Sequence, residues 1–82
     1  MTRDEIKATA LEALSDIAPE VDTGKLDEKI NFRDQFDMDS VDYLNFVLTL
    51  EKKLAIKIPE LDYPKLSSLE GCISYLESRA KD

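Results

Sequence analysis

The placement of three prolines, and the periodicity around them, constrains the fold of this chain more than any other sequence feature. Pro19, Pro59 and Pro64 are the only prolines, and they stand where helices would end. The apolar residues around them recur every three or four positions, the spacing of one helix face. No alternating apolar–polar segment is long enough to pair as a strand, and the nearest candidate, residues 55–58, stands alone. The sequence therefore predicts an all-α fold.

Three main helices and one short helix are predicted along the chain. They cover residues 2–17, 40–54 and 68–79, with the short helix at residues 60–65. The spacing of a capping box, in which Ser or Thr stands three residues before Glu, occurs at Thr2 with Glu5 and at Ser67 with Glu70. A length of 82 residues is that of one domain. These observations predict a small four-helix bundle in a single domain over residues 1–82.

The connection between the first two main helices is unusually long. It spans residues 18–39, whereas helices in bundles are commonly joined by about 2–8 residues. Its apolar side chains are Val21, Leu26, Ile30, Phe32 and Phe36. Because this composition is too apolar for a loose linker, the loop is predicted to pack across one end of the bundle.

Charge and residue types exclude several classes of function. The formal net charge is −7, from 18 acidic and 11 basic residues, which disfavours binding to nucleic-acid phosphates or anionic membranes. The chain has no histidine, so it lacks the usual base for activating a serine or cysteine nucleophile. Cys72 is the only cysteine, which rules out an internal disulfide and fits a reducing compartment. A cytoplasmic binding module without a membrane span is indicated, rather than an enzyme.

The second main helix carries two separate groups of apolar residues. Those expected to face the core are Tyr43, Phe46, Val47, Leu50 and Leu54. The second group, Val41, Leu44 and Leu48, lies about 130° away at 100° per residue. Two interpretations remain open. Leu44 and Leu48 pack under the long loop, or they line a pocket or docking surface with Val41 at its exposed end.

A serine stands at the N-terminal end of this helix. Ser40 follows Asp39, which is a favourable N-cap residue. The free backbone N–H groups and the helix dipole at such an end favour a phosphate ester. The long preceding loop is expected to leave the hydroxyl exposed. The nearby acidic residues do not form an EF-hand, because Val41 and Leu48 stand where that loop needs liganding side chains, and no metal site is predicted.

The residues around Ser40 resemble those of the acyl carrier proteins. Asp39-Ser40-Val41-Asp42 is similar to the Asp-Ser-Leu-Asp motif of that family. Further similar segments occur at matching spacing, at residues 32–36, 48–51, 56–59 and 62–69. The resemblance therefore covers essentially the whole chain.

The resemblance implies that Ser40 carries 4′-phosphopantetheine through a phosphodiester that a phosphopantetheinyl transferase installs. The thiol of the arm would hold an acyl chain as cargo for acyl-transferring, ligating or condensing enzymes in fatty-acid, lipid or polyketide-type biosynthesis. The chain would be a monomer and a carrier, not an enzyme. Asp39 and Asp42 belong to the motif. The positions expected to contact the acyl chain or partner enzymes are Val41, Asp42, Leu44, Leu48, Glu51 and Tyr63.

The second main helix departs from the pattern of fatty-acid carriers. Asn45, Lys52 and Lys53 stand where that pattern commonly has acidic residues. Residues 40–58 carry a net charge of +1, whereas residues 19–39 carry −4. A specialised carrier is therefore expected, with partner enzymes that present groups of both signs, including an acid able to meet Lys52 or Lys53.

Two alternative functions remain open from the sequence. The first is an aminoacyl or peptidyl-type carrier that an adenylating ligase loads, which the atypical second helix motivates. The second is an acidic helical adaptor without a prosthetic group, which would use Val41, Leu44 and Leu48 as a groove for a partner.

Overall fold

A computed structural model describes residues 2–79 of the chain. Within that range it contains four α-helices and one 3₁₀ helix, and no strand. The elements are α1 (Arg3–Ile17), α2 (Phe32–Gln35), α3 (Ser40–Leu54), the 3₁₀ helix (Glu60–Leu66) and α4 (Leu69–Arg79). The all-α prediction is confirmed, and the predicted short helix is the 3₁₀ helix. The single turn of α2, inside the long loop, was not predicted.

The capping box predicted at the start of α1 is present. The Thr2 hydroxyl accepts the backbone N–H of Glu5 at 3.1 Å, and the Glu5 carboxylate accepts that of Thr2 at 2.8 Å. The hydrogen bond that the Thr2 backbone N–H donates to the carboxylate lowers the pKa of Glu5. The helix ends at Ile17, two residues before Pro19, so both boundaries follow from local sequence signals.

The start of α4 differs by one residue from the prediction. The hydroxyl of Ser68, not that of Ser67, accepts a helix N–H, from Gly71 at 3.0 Å. The Ser67 hydroxyl instead donates to the side chain of Asn31 at 3.3 Å. Ser67 thus contacts the long loop, and the adjacent Ser68 caps α4 in its place.

The core forms where α1 packs against both α3 and α4. Its largest fully buried side chains are Phe32, Phe46, Ile6, Leu14, Leu50, Leu66, Leu69 and Leu76. Burying one side chain of this size stabilises a fold by about 1.5–3 kcal/mol. The ion pairs between helices, such as Arg3 with Glu77 at 2.8 Å, are solvent-exposed and contribute much less. Apolar burial therefore holds the bundle together.

The long loop is bonded to the start of α4. Phe32 donates its backbone N–H to the Ser67 carbonyl at 2.8 Å, and Glu70 donates to the Glu28 carbonyl at 2.9 Å. The predicted packing of this loop on the bundle is confirmed for four of its five apolar residues, which are buried or half-buried. Ile30 is the exception, since 42% of this residue is exposed. The turn that contains it is held by backbone hydrogen bonds and does not need packing of the Ile30 side chain.

Cys72 is a core residue, and the only cysteine of the chain. Its thiol is fully buried and lies 3.2 Å from the Leu66 carbonyl oxygen, to which it donates. Burial raises the pKa of this thiol. A protonated, inaccessible thiol is unreactive, so Cys72 contributes packing. None of the helices between residues 2 and 79 is long and apolar enough to cross a membrane.

Replacing Gly71 by alanine is predicted to destabilise the fold. Alanine would raise helix propensity by about 1 kcal/mol, but a Cβ at this position would lie 2.5 Å from the Lys65 carbonyl oxygen. Since that oxygen is backbone, the 3₁₀ helix must move, and we expect a net loss of about 1–3 kcal/mol. Urea unfolding followed by circular dichroism measures the change.

The matched control for this prediction is Ser74→Ala, an exposed position in the same helix. It should change the free energy of unfolding by less than about 0.5 kcal/mol. A Gly71→Ala variant as stable as the wild type would show that the close approach at Gly71 is not needed.

Candidate functional site

Ser40 is the first residue of α3, and it is exposed. Asp39 caps the helix, since its carboxylate accepts the backbone N–H of Asp42 at 2.8 Å. The carbonyl of Asp39 accepts the N–H of Tyr43 at 2.9 Å. The first backbone N–H groups of a helix have no acceptor within it, so those of Ser40 and Val41 give this end a partial positive charge. An anionic group on the Ser40 oxygen is compatible with this geometry.

Val41, Leu44 and Leu48 form an exposed apolar stripe on α3, here called the α3 stripe. Their exposed fractions are 65%, 42% and 45%. Packing of Leu44 and Leu48 under the long loop is therefore wrong, because the rotation of α3 that buries Phe46 turns the stripe outward. The exposure agrees with the alternative interpretation, a surface available for contact.

Lys52 and Lys53 differ in their surroundings, although they are adjacent. Lys53 extends from α3 to α1, where its ammonium lies 2.6 Å from the Glu12 carboxylate and 3.2 Å from that of Asp16. The hydrogen bonds to Glu12 and then Asp16 raise the pKa of Lys53. Lys52 has no ion pair with any described residue and follows Leu48 by four positions, along the α3 stripe. Of these two lysines, Lys52 is therefore the one available to pair with an acid on a partner.

Glu51 holds the exit from α3. Its carboxylate accepts the backbone N–H of Ile58 at 2.7 Å, and its carbonyl accepts that of Ile56 at 3.1 Å. Between them Ala55 adopts a left-handed conformation with φ 54°, the geometry that commonly ends a helix. The Glu51 side chain is thus engaged within the chain, and its predicted contact with partners stays a prediction.

A cleft of about 620 Å³ borders the C-terminal end of the α3 stripe. Its lining residues are Leu48, Glu51, Lys52, Ala55, Ile56 and Lys57. Apolar and basic groups therefore meet at this end of α3. Between residues 2 and 79, no group of acidic or cysteine side chains is arranged to hold a metal ion.

Tyr43 joins α3 to the 3₁₀ helix. Its hydroxyl donates to the carbonyl oxygen of Tyr63, and burial raises the pKa of Tyr43 to about 12. The hydroxyl therefore stays a hydrogen-bond donor over the physiological pH range. This bond brings the backbone of Tyr63 beside the first turns of α3, while contact between Tyr63 and an acyl chain stays a prediction.

The turn before Ser40 is held by an arginine that sequence reasoning did not single out. Met38 is buried, with 6% exposed, and its carbonyl accepts Nε of Arg33 at 3.2 Å. One signal in the sequence was available: Arg33 is the only cation between Lys29 and Lys52. Burial of Met38 explains why a large apolar residue stands directly before the motif.

Comparisons with known proteins agree with this geometry. A family model described as the phosphopantetheine attachment site matches residues 8–76. The chain is 32% identical over 80 residues to the acyl carrier protein of Campylobacter jejuni, covering 98% of this chain and 97% of the relative. It is 34% identical over 79 residues to that of Campylobacter hominis, covering 96% and 94%.

The fold is also similar to a solved structure. The solution structure of a protein from Anaplasma phagocytophilum, provisionally identified as an acyl carrier protein, superposes with a TM-score of 0.84 at 25% identity. The match covers 100% of this chain and 96% of the other. The helix order, the exposed start of α3, the family model and the nearly full-length relatives agree, and the chain belongs to the phosphopantetheine-binding acyl carrier protein family.

Proposed function

We propose that Ser40 is the residue to which the 4′-phosphopantetheine of this acyl carrier protein is attached, and that a phosphopantetheinyl transferase installs it. The observation that carries the proposal is the exposed serine that is the first residue of α3, within the Asp-Ser-Val-Asp motif. Other serines near the helix starts are engaged, since Ser68 caps α4 and Ser67 donates to Asn31. Among residues 2–79, no hydrogen bond engages the Ser40 hydroxyl in such a role.

The residues of this chain suit a carrier better than a catalyst. When attached, 4′-phosphopantetheine supplies a thiol that holds an acyl group as a thioester. The chain itself provides the oxygen of attachment and a surface for acyl-handling enzymes, and neither task needs a proton-transfer group. The sequence has no histidine, and its one thiol is buried in the core. We expect the carrier to act as a monomer in the cytoplasm, where Cys72 stays reduced.

The α3 stripe is the surface that we expect partner enzymes to contact. Exposed apolar side chains in one row, beside the point of attachment, favour docking. Asp42 and Lys52 flank the α3 stripe with opposite charges. This arrangement supports a specialised carrier whose partners present groups of both signs. An aminoacyl or peptidyl-type carrier would share this surface, so loading of the modified protein with fatty acids or with amino acids distinguishes the two cargoes.

Ser40→Ala is predicted to abolish modification. Wild-type protein incubated with coenzyme A and a broad-specificity phosphopantetheinyl transferase should gain the mass of one phosphopantetheine group in intact-mass spectrometry. Ser74→Ala, which removes an exposed hydroxyl in α4, should leave that gain unchanged. A gain that survives Ser40→Ala would contradict the proposal. An unmodified Ser40 in protein from its native cell would favour the adaptor without a prosthetic group.

Val41→Asn is predicted to weaken docking of the transferase without unfolding the carrier. Val41 is 65% exposed and Asn has a similar helix propensity, so stability should change little. Losing the apolar contact of one valine should raise KM for the modification about fivefold to tenfold. The control is Leu61→Asn, because Leu61 is 91% exposed but lies on the 3₁₀ helix. An equal rise in KM for both variants would show that the α3 stripe is not the contact.

A further inference from the structure

One cation lies among the acidic residues that precede and follow Ser40. Residues 34–42 contain four carboxylates, those of Asp34, Asp37, Asp39 and Asp42, and no basic residue. Arg33 stands directly before them, yet none of the described acidic side chains forms an ion pair with it. Its guanidinium is instead held by the Met38 carbonyl. A strong cation is thus kept beside these acids without being neutralised by a close contact.

One contact holds the guanidinium of Arg33 close to Ser40. It is the 3.2 Å hydrogen bond from Nε to the Met38 carbonyl, two residues before Ser40. Asp39 between them is extended, with φ −87° and ψ −179°, so the Cα atoms of Met38 and Ser40 are separated by roughly 7 Å.

An electrostatic effect on Tyr43 agrees with this position of the charge. The charge of Arg33 opposes the rise that burial causes in the pKa of Tyr43, and Tyr43 follows Ser40 by three positions on α3. The hydrogen bond to the Met38 carbonyl therefore holds the guanidinium beside the N-terminal end of α3, which begins at Ser40.

We propose that Arg33 is a phosphate-binding residue of this carrier, which pairs with the phosphodiester on Ser40 through the guanidinium N–H groups that Met38 leaves free. This inference rests on the proposed attachment at Ser40 and adds a residue to that site. It assigns to Arg33 a role that neither the motif nor the family match contains.

The chemistry of arginine suits this task. A guanidinium presents five N–H donors in a planar fork, and the Met38 carbonyl uses Nε, so both terminal nitrogens remain available. Arg–phosphate pairs are charge-assisted and geometrically specific. A phosphodiester adds one negative charge next to the carboxylates of Asp39 and Asp42, and a nearby cation offsets that repulsion. Arg33 is the only cation of the segment that can do so, since the next ones are Lys29 and Lys52.

The experiment compares unmodified and modified protein in the wild type and in Arg33→Gln. If Arg33 binds the phosphodiester, modification should raise Tm more in the wild type than in Arg33→Gln, by roughly 2–5 °C at low ionic strength. The difference should shrink in 0.5 M salt, because exposed ion pairs are screened. The ³¹P resonance of the modified protein should also shift between the wild type and Arg33→Gln.

Matched variants separate phosphate binding from a structural role of Arg33. Lys29→Gln removes one positive charge from the same loop, at an exposed residue that has no ion pair with a described residue, and should behave like the wild type in both measurements. Arg33→Lys keeps the charge and should retain part of the effect of modification, which keeps the test usable if Arg33→Gln is unstable.

Two results would overturn the inference. One is an equal effect of modification on Tm in the wild type and in Arg33→Gln, with an unmoved ³¹P resonance, which would leave Arg33 as an anchor for Met38 only. The other is an equal loss in Lys29→Gln, which would show that net charge alone acts. Failure of the attachment proposal is distinguishable, because no modified protein would then form.

Discussion

The edge-to-face contact between Phe32 and Phe46 is the interaction on which the geometry of the site depends. The ring centroids lie 5.3 Å apart at 75°, and both side chains are fully buried. Phe46 lies in the middle of α3, so its burial fixes the rotation of that helix about its axis. Phe32 draws the end of the long loop onto the same core. The exposure of Ser40 and of the α3 stripe follows from this rotation, and Arg33 reaches the turn before Ser40 because Phe32 is anchored beside it.

The elements that the sequence predicted well are those specified by nearby residues. The bounds of α3 were predicted because Asp39 caps its start and the periodicity of its apolar residues is unbroken to Leu54. The single turn of α2 could not be found in this way. It is too short to show periodicity, and contacts distant in sequence hold it, such as that between the Phe32 N–H and the Ser67 carbonyl. The exposure of Ser40 was predictable for the same reason, because it follows from the position of Ser40 at the start of a helix.

The residues whose roles were missed act through long-range contacts. The sequence could not separate Lys53 from Lys52, because Glu12, the partner of Lys53, lies 41 residues away. It gave no role to Arg33, because the hydrogen bond of this side chain goes to the Met38 carbonyl. Every residue has a backbone carbonyl, so the residue type does not indicate which one accepts. Polar pairing across a bundle is therefore the part of this site that a single sequence does not reveal, whereas apolar burial and helix ends are largely readable.

The internal contacts also change what a partner enzyme meets on α3. Four side chains on this helix are charged, but Lys53 is paired with α1 and the carboxylate of Glu51 accepts the Ile58 N–H. Asp42 near Ser40 and Lys52 near the exit remain, roughly 15 Å apart along the axis. The two acids and two bases of α3 thus become one acid and one base that no described residue engages. Because so few charges are available, discrimination between partner enzymes must depend largely on the shape and the apolar contacts of the α3 stripe, which lies between Asp42 and Lys52. The two charges then orient the carrier on its partner along the α3 stripe, with Asp42 at the end that carries the point of attachment.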